Sequence, residues 1–186
     1  MSPAAHGGSR VRRSGGTTAD TTGREAGVSP DRFKAVLRHH AKGVAVITAG
    51  AAGPAGFCAT SLASVSLEPP LVSFAVQLRS ASWAALAASR YAVVHLLTDD
   101  QEETARTFAR PGADKFGPGT PWHRGPHGLP VLDDVLAWMV VEPSARLRAG
   151  DHALVVARVI SAWHAPRGRP LVHHDGAYPR LCADRG

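Results

Sequence analysis

The sequence predicts a mainly β protein whose antiparallel strands close into a barrel or sandwich, with a few short helices plugging the ends. Apolar runs rich in β-branched residues recur along the chain: GVAVITAG from Gly43, PLVSFAVQL from Pro70, YAVVHLL from Tyr91, VLAWMVVEPSARL from Val135 and ALVVARVISAWHA from Ala153. Strand follows strand at hairpin spacing, which favours antiparallel pairing. No regular strand–helix–strand alternation supports a doubly wound fold.

The elements follow in order. Residues 1–28 are rich in Gly, Ser, Thr and Arg without apolar periodicity. They predict a disordered tail, or an arm that orders against a partner subunit. Residues 29–186 form the one domain. It begins with a helix: Ser29 caps it, Pro30 suits its first position, and Phe33, Val36, Leu37 and His40 recur at helical spacing before Gly43. After the strand GVAVITAG, the glycines of AGAAGPAG supply a hairpin turn; no Gly-Lys-Ser/Thr follows, so this is no phosphate loop. Pro69 and Pro70 lead into the next strand. SASWAALAAS is a short Ala-rich helix, and TDDQEETARTFAR starts another with a capping box, Thr98 facing Gln101. Residues 110–130 carry so much Gly and Pro that they predict an extended loop, functional or covering something. Two long strands then meet at the tight turn AGDH, and RPLVHHDGAYPRL adds a short edge strand.

Composition narrows the function. The chain has 186 residues, 44% of them hydrophobic, enough to bury a core. It lacks the ~18–20 apolar residues of a membrane span and the apolar core of a secretory signal. A cytoplasmic protein is expected, with no membrane partner. The net charge of +6 is spread singly, which argues against nucleic acid and suits a small anionic ligand. Cys58 and Cys182 have no partners at metal-ligand spacing and read as isolated thiols. The pairs His39-His40 and His173-His174, and His123 with His127, lack matched cysteines or carboxylates, so no metal is expected.

Several stretches, in sequence, carry a resemblance: GVAVIT, GFCATSLASVSLEPPLVSF, SASW, DKF, GLPVLDD, AGDHALVVARV and RPLVHHDGAY. From about Phe33 to Tyr178 the chain resembles the flavin reductase family with the FMN-binding split-barrel fold. The resemblance implies an NAD(P)H:flavin oxidoreductase, NADH favoured over NADPH, that reduces exchangeable FAD or FMN by hydride transfer. It also implies a homodimer with the flavin at the subunit interface, and a flavin-dependent monooxygenase that receives the reduced flavin. The GFCATSLASVSLEPPL stretch owns almost no reactive group because the chemistry belongs to the cofactor.

Site residues follow from the same resemblance. Pro54, Ala55, Gly56, Phe57 and Cys58 line the ring, the glycine and small residues allowing close backbone approach. Thr60 and Ser61 bond the ring edge or ribityl chain, and Ala75, Val76 and Gln77 flank the other side. Ala81 and Ser82, at the head of the SASW helix, reach the phosphate. Thr107 and Phe108 close the site from the second helix. His152 and Asp151 sit where the nicotinamide approaches, with Tyr178 near the same mouth; His152 is the catalytic candidate. Two departures from the family pattern affect flavin preference: Cys58-Ala59-Thr60-Ser61 stands for Thr-Ala-Asn-Ser, and His95 for an Asn.

Plainer duties compete with these roles. Thr60, Ser61 and Ser82 suit turns and caps, His152 a hairpin tip, and Cys58 a small filler. Trp138 and Trp163 suit the core or a dimer face, Trp83 the helix under the phosphate, and Trp122 a lid. The functional alternatives are a non-catalytic flavin- or haem-binding barrel and a basic nucleic-acid-binding barrel.

Overall fold

The computed structural model describes residues 27–50 and 53–182, so the tail expected over 1–28 lies outside it apart from Gly27 and Val28. Packing separates a first unit ending at Leu37 from a second that starts at Arg38. In the first, α1 (Pro30–Leu37) begins where Ser29 Oγ accepts a hydrogen bond from the Arg32 amide at 3.3 Å. It ends at Leu37, short of His40 and Gly43, and none of its residues is buried.

The second unit is built on strands. In chain order these are β1 (Lys42–Gly43), β2 (Ala45–Ala49), β3 (Ala55–Ala59), β4 (Ala63–Leu67), β5 (Pro70–Gln77) and β6 (Ala92–Leu96). They continue with β7 (Trp122–Arg124), β8 (Pro130–Leu132), β9 (Ala137–Ala149), β10 (His152–His164) and β11 (Val172–His173). Helix α2 (Ala81–Ala88) lies between β5 and β6, and α3 (Glu102–Ala109) between β6 and β7. Seven strands form one antiparallel sheet in the order β3-β2-β6-β9-β10-β5-β4. The sheet is not closed edge to edge: this is an antiparallel split barrel, as the sequence predicted. No helix among the described residues is long and apolar enough to cross a membrane.

Burial explains the sequence patterns. Every residue of β2 is buried because both of its faces are covered. Ala45, Ile47 and Ala49 point into the main core with Phe74, Val94 and Val155, while Val46 packs with Ala105 and Phe108 of α3. That double cover produces a continuous apolar run where a one-sided strand would alternate. β5 and β10 do alternate: Val72, Phe74 and Val76 bury inward beside Ala153, Val155 and Ala157. β9 tolerates Pro143 because that residue lies beyond the reach of β6 and at a register shift against β10.

Two stretches depart from expectation. Residues 110–130 are not wholly extended loop: β7 and β8 form a short hairpin around a 3-10 turn at Pro126–Gly128. Buried side chains of the main sheet anchor it. Thr48 Oγ1 donates to the Pro130 carbonyl at 2.5 Å, and the Leu132 amide donates to His95 Nε2 at 3.1 Å. Nε2 therefore accepts, and Nδ1 donates to the Val46 carbonyl at 3.0 Å. Complete burial holds the imidazole neutral, its pKa pushed down to about 4. The second departure is the polar stretch after Gly53, where β3 and β4 form despite their small and hydroxyl-bearing residues.

Candidate active site

A cleft of about 510 Å³ opens where β3, the end of β5, the start of α2 and the end of α3 converge. Phe57 and Cys58 of β3 and Ala75, Val76 and Gln77 of β5 line it. α2 contributes Ala81 and Ser82, α3 contributes Phe108, and His152 enters from the first position of β10.

Local hydrogen bonds set these positions. Ser80, with extended backbone, accepts from the Trp83 amide at 3.2 Å and is the N-cap of α2. Ser82 plays another part, in which its hydroxyl donates to the Gly56 carbonyl at 2.7 Å and stitches α2 to β3. The Leu78 amide donates to the Asp151 carbonyl at 3.0 Å, tying the β9–β10 turn to the end of β5. Gly150 has φ 61 in that turn, a left-handed conformation that glycine adopts without steric cost. In register, His152 stands opposite Gln77, so sheet pairing brings it to the cleft. Its Nδ1 lies 2.7 Å from Asp151 Oδ1, and that hydrogen bond is the main cause holding the Asp151 carboxyl below its ordinary range.

The remaining predicted residues distribute as follows. Pro54, Ala55 and Gly56 line an adjoining cavity of about 330 Å³ rather than the main cleft. The space at Gly56 is taken by protein: an added Cβ would come within 2.6 Å of Phe108 Cε1, so this glycine makes room for α3. Ser61 Oγ accepts from the Ala75 amide at 2.8 Å, replacing a ladder partner that β4 does not reach. Thr60 is exposed, and neither it nor Ser61 lines the cleft. Thr107 and Asp151 lie beside lining residues without lining it themselves. Tyr178 is elsewhere, its ring against His173 at 5.3 Å and under the Arg106 guanidinium at 5.1 Å.

Three cations that sequence reasoning did not single out also line the cleft: Arg79, Arg110 and Lys115. In the sequence they are isolated charges, and their convergence is a product of the fold. The available signals were the overall basic balance and the DKF stretch. Cys58 is a neutral thiol, its pKa raised to about 11 by burial. Both cysteines are free. Trp122 is no loose lid: its indole donates to the Phe116 carbonyl at 3.0 Å. Of the core or dimer-face expectation, the core half does not hold for Trp163, which is 47% exposed, while its cross-strand partner Trp138 is partly buried.

A split barrel with a cationic cleft and a helix start in its wall defines a protein suited to an anionic ligand. Comparison with known proteins narrows that class. Residues 37–181 match the flavin reductase like domain, and the chain belongs to that family. It is 39% identical over 160 residues to an NADH:FMN oxidoreductase of Rhodococcus erythropolis, covering 83% of both chains. It is 36% identical over 159 residues to the reductase subunit of a flavin-dependent monooxygenase of Rhodococcus jostii, covering 85% of this chain and 81% of the other. Among solved structures, it resembles an NADH:FAD oxidoreductase of Streptomyces globisporus in complex with NAD and FAD fragments. That match has TM-score 0.80 and 29% identity, covering 87% of this chain and 99% of the other.

Proposed function

We propose that this protein is an NADH-dependent flavin reductase that releases its reduced flavin to a separate flavin-dependent monooxygenase. The observation that carries the reading is the cleft of this family member: its described lining residues gather the cations Arg79, Arg110 and Lys115, and its cysteine is a neutral thiol. That donor set fits a flavin. In the first turn of α2 the Trp83 amide is capped by Ser80 while Ala81 and Ser82 bring their amides to the cleft, and Arg79, Arg110 and Lys115 suit a phosphate. Phe57, the neutral Cys58 thiol and Ala75 offer an uncharged wall for a flat ring. A bound flavin supplies the chemistry, accepting a hydride directly from the nicotinamide, so the protein need provide no acid at that step. His152, steadied by Asp151, orients the nicotinamide at the mouth.

Release limits how tightly the flavin is held. Micromolar affinity corresponds to about −8 kcal/mol, and much tighter binding would trap the product. Anaerobic mixing with NADH and either FMN or FAD tests the reading: many turnovers per protein are expected. Absence of turnover with both flavins would favour a flavin- or haem-binding barrel that keeps its cofactor.

The same reading includes a homodimer in the cytoplasm, where NADH and the monooxygenase reside. The outer face of β9 and β10 supports pairing, because Leu147 is exposed directly opposite the half-buried Leu154. Leu147→Glu should turn a dimer into a monomer by light scattering; a dimer of unchanged stability would clear this face of the role.

A further inference from the structure

The main cleft and the adjoining 330 Å³ cavity share a wall: Ala81, Ser82 and Lys115 line both. β3 runs through the two, with Phe57 and Cys58 in the cleft and Ala55 and Gly56 in the smaller cavity. The two cavities adjoin along β3, and the Ser82–Gly56 hydrogen bond ties their shared wall to that strand. Lys115 is held there by its Nζ, which donates to the Arg110 carbonyl at 3.3 Å.

The chambers differ in chemistry. The larger adds Arg79, Arg110 and His152 to the shared Lys115. The smaller is walled by Pro54, Ala55, Gly56 and Phe116, with Lys115 its one cation and Asp114 its one carboxylate among the described residues. Asp114 is engaged in its own turn, with Oδ1 accepting from the Phe116 amide at 3.4 Å. The shared wall therefore offers an anion-binding cation, Lys115, between two chambers, the smaller of which is open and lined mainly by small and apolar residues. A ligand matched to it has two flat groups joined by an anionic linker.

We infer that the preferred flavin is the dinucleotide FAD, with its diphosphate at the Lys115 junction and its adenosine in the smaller chamber. The segment from Ala113 to Phe116 then sets the choice of FAD over FMN, because a mononucleotide leaves that chamber to water. This assignment rests on the flavin reading above. Ala113 lines the smaller chamber alone, which makes it the place to test the idea.

Equilibrium binding of FAD and FMN, followed by flavin fluorescence, is measured on the wild type and on Ala113→Trp, together with NADH turnover using FMN. The wild type should bind FAD about tenfold more tightly than FMN, and Ala113→Trp should weaken FAD about tenfold while FMN stays within about twofold. Turnover with FMN should be unchanged. Ala113→Met, a smaller wedge, should give an intermediate loss for FAD, and the thermal midpoints of both variants check that they fold. Equal wild-type affinities, an unaltered FAD Kd in the variants, or equal losses for both flavins would overturn the assignment. So would a raised KM for NADH with FMN as acceptor, which would give the chamber to the adenylate of NADH. A wild type that binds neither flavin would sink the flavin reading itself, visibly and before any substitution is made.

Discussion

His95 and His152 show how one residue type serves two regions of this molecule. His95 lies in the corner where β2, β6 and β8 meet, fully buried, with one nitrogen donating and the other accepting. It has nothing left to offer a ligand and acts as a pin between backbone segments. His152 stands half-exposed at the cleft, its side chain 42% exposed and bonded through Nδ1 to a carboxylate. Burial with complete pairing makes a polar side chain structural; partial exposure with one orienting partner leaves it available for binding.

The contrast is broken most severely at the corner. His95→Leu removes the partners of the Val46 carbonyl and the Leu132 amide while keeping them buried. At roughly 1–3 kcal/mol for each orphaned group, the loss should be about 4 kcal/mol. Urea denaturation measures it, and a loss under about 1 kcal/mol would deny His95 its structural role.

Acid attacks the same corner without a mutation. The folded pKa of His95 is about 4 against an ordinary 6.5, so between those values the unfolded chain binds a proton that the fold refuses. The contribution is therefore complete above about pH 6.5 and is lost progressively as pH falls toward 4. At about 1.4 kcal/mol per unit it amounts to roughly 3 kcal/mol at most. Denaturation midpoints across that range should fall in the wild type, and a flat profile would contradict the neutral assignment.

At the cleft, function should move more than stability. Ser82→Asp sets a negative charge beside the cations and removes the bond to Gly56; the flavin KM should rise about tenfold or more, equivalent to at least ~1.4 kcal/mol. An unaltered flavin KM would mean the phosphate lies elsewhere. His152→Ala should raise the KM for NADH by several-fold, more than it weakens flavin binding, with stability changed by less than about 0.5 kcal/mol. Unchanged kinetics would return His152 to the status of a hairpin-tip residue.

The legible parts of the fold were those whose local chemistry agrees with their tertiary surroundings. β2 announces itself by a β-branched apolar run, the β9–β10 hairpin by Gly150 between two such runs, and α2 by a serine at its head. The start of α3 was half legible: the Gln101 side chain does accept from the Thr98 amide, at 3.1 Å, but Gln101 itself is the first flanking residue. β3 and β4 were hidden because Gly, Ala and Ser have little intrinsic strand preference, and pairing with β2 and β5 imposes the conformation. The β7–β8 hairpin was hidden because its stability comes from Thr48 and His95, more than thirty residues distant in sequence. At the site, residues on β3, β5 and the turn into β10 could be named from motifs. The gathering of Arg79, Arg110 and Lys115 could not, since side chains from separate loops meet only after folding.

Cys58 has a consequence for durability. Wherever reduced flavin meets dioxygen, peroxide forms, and peroxide oxidises thiolates far faster than thiols. With its pKa near 11, only about one Cys58 in ten thousand is ionised at neutral pH. Burial thus keeps the sulfur at the cleft in its slower-oxidising thiol form.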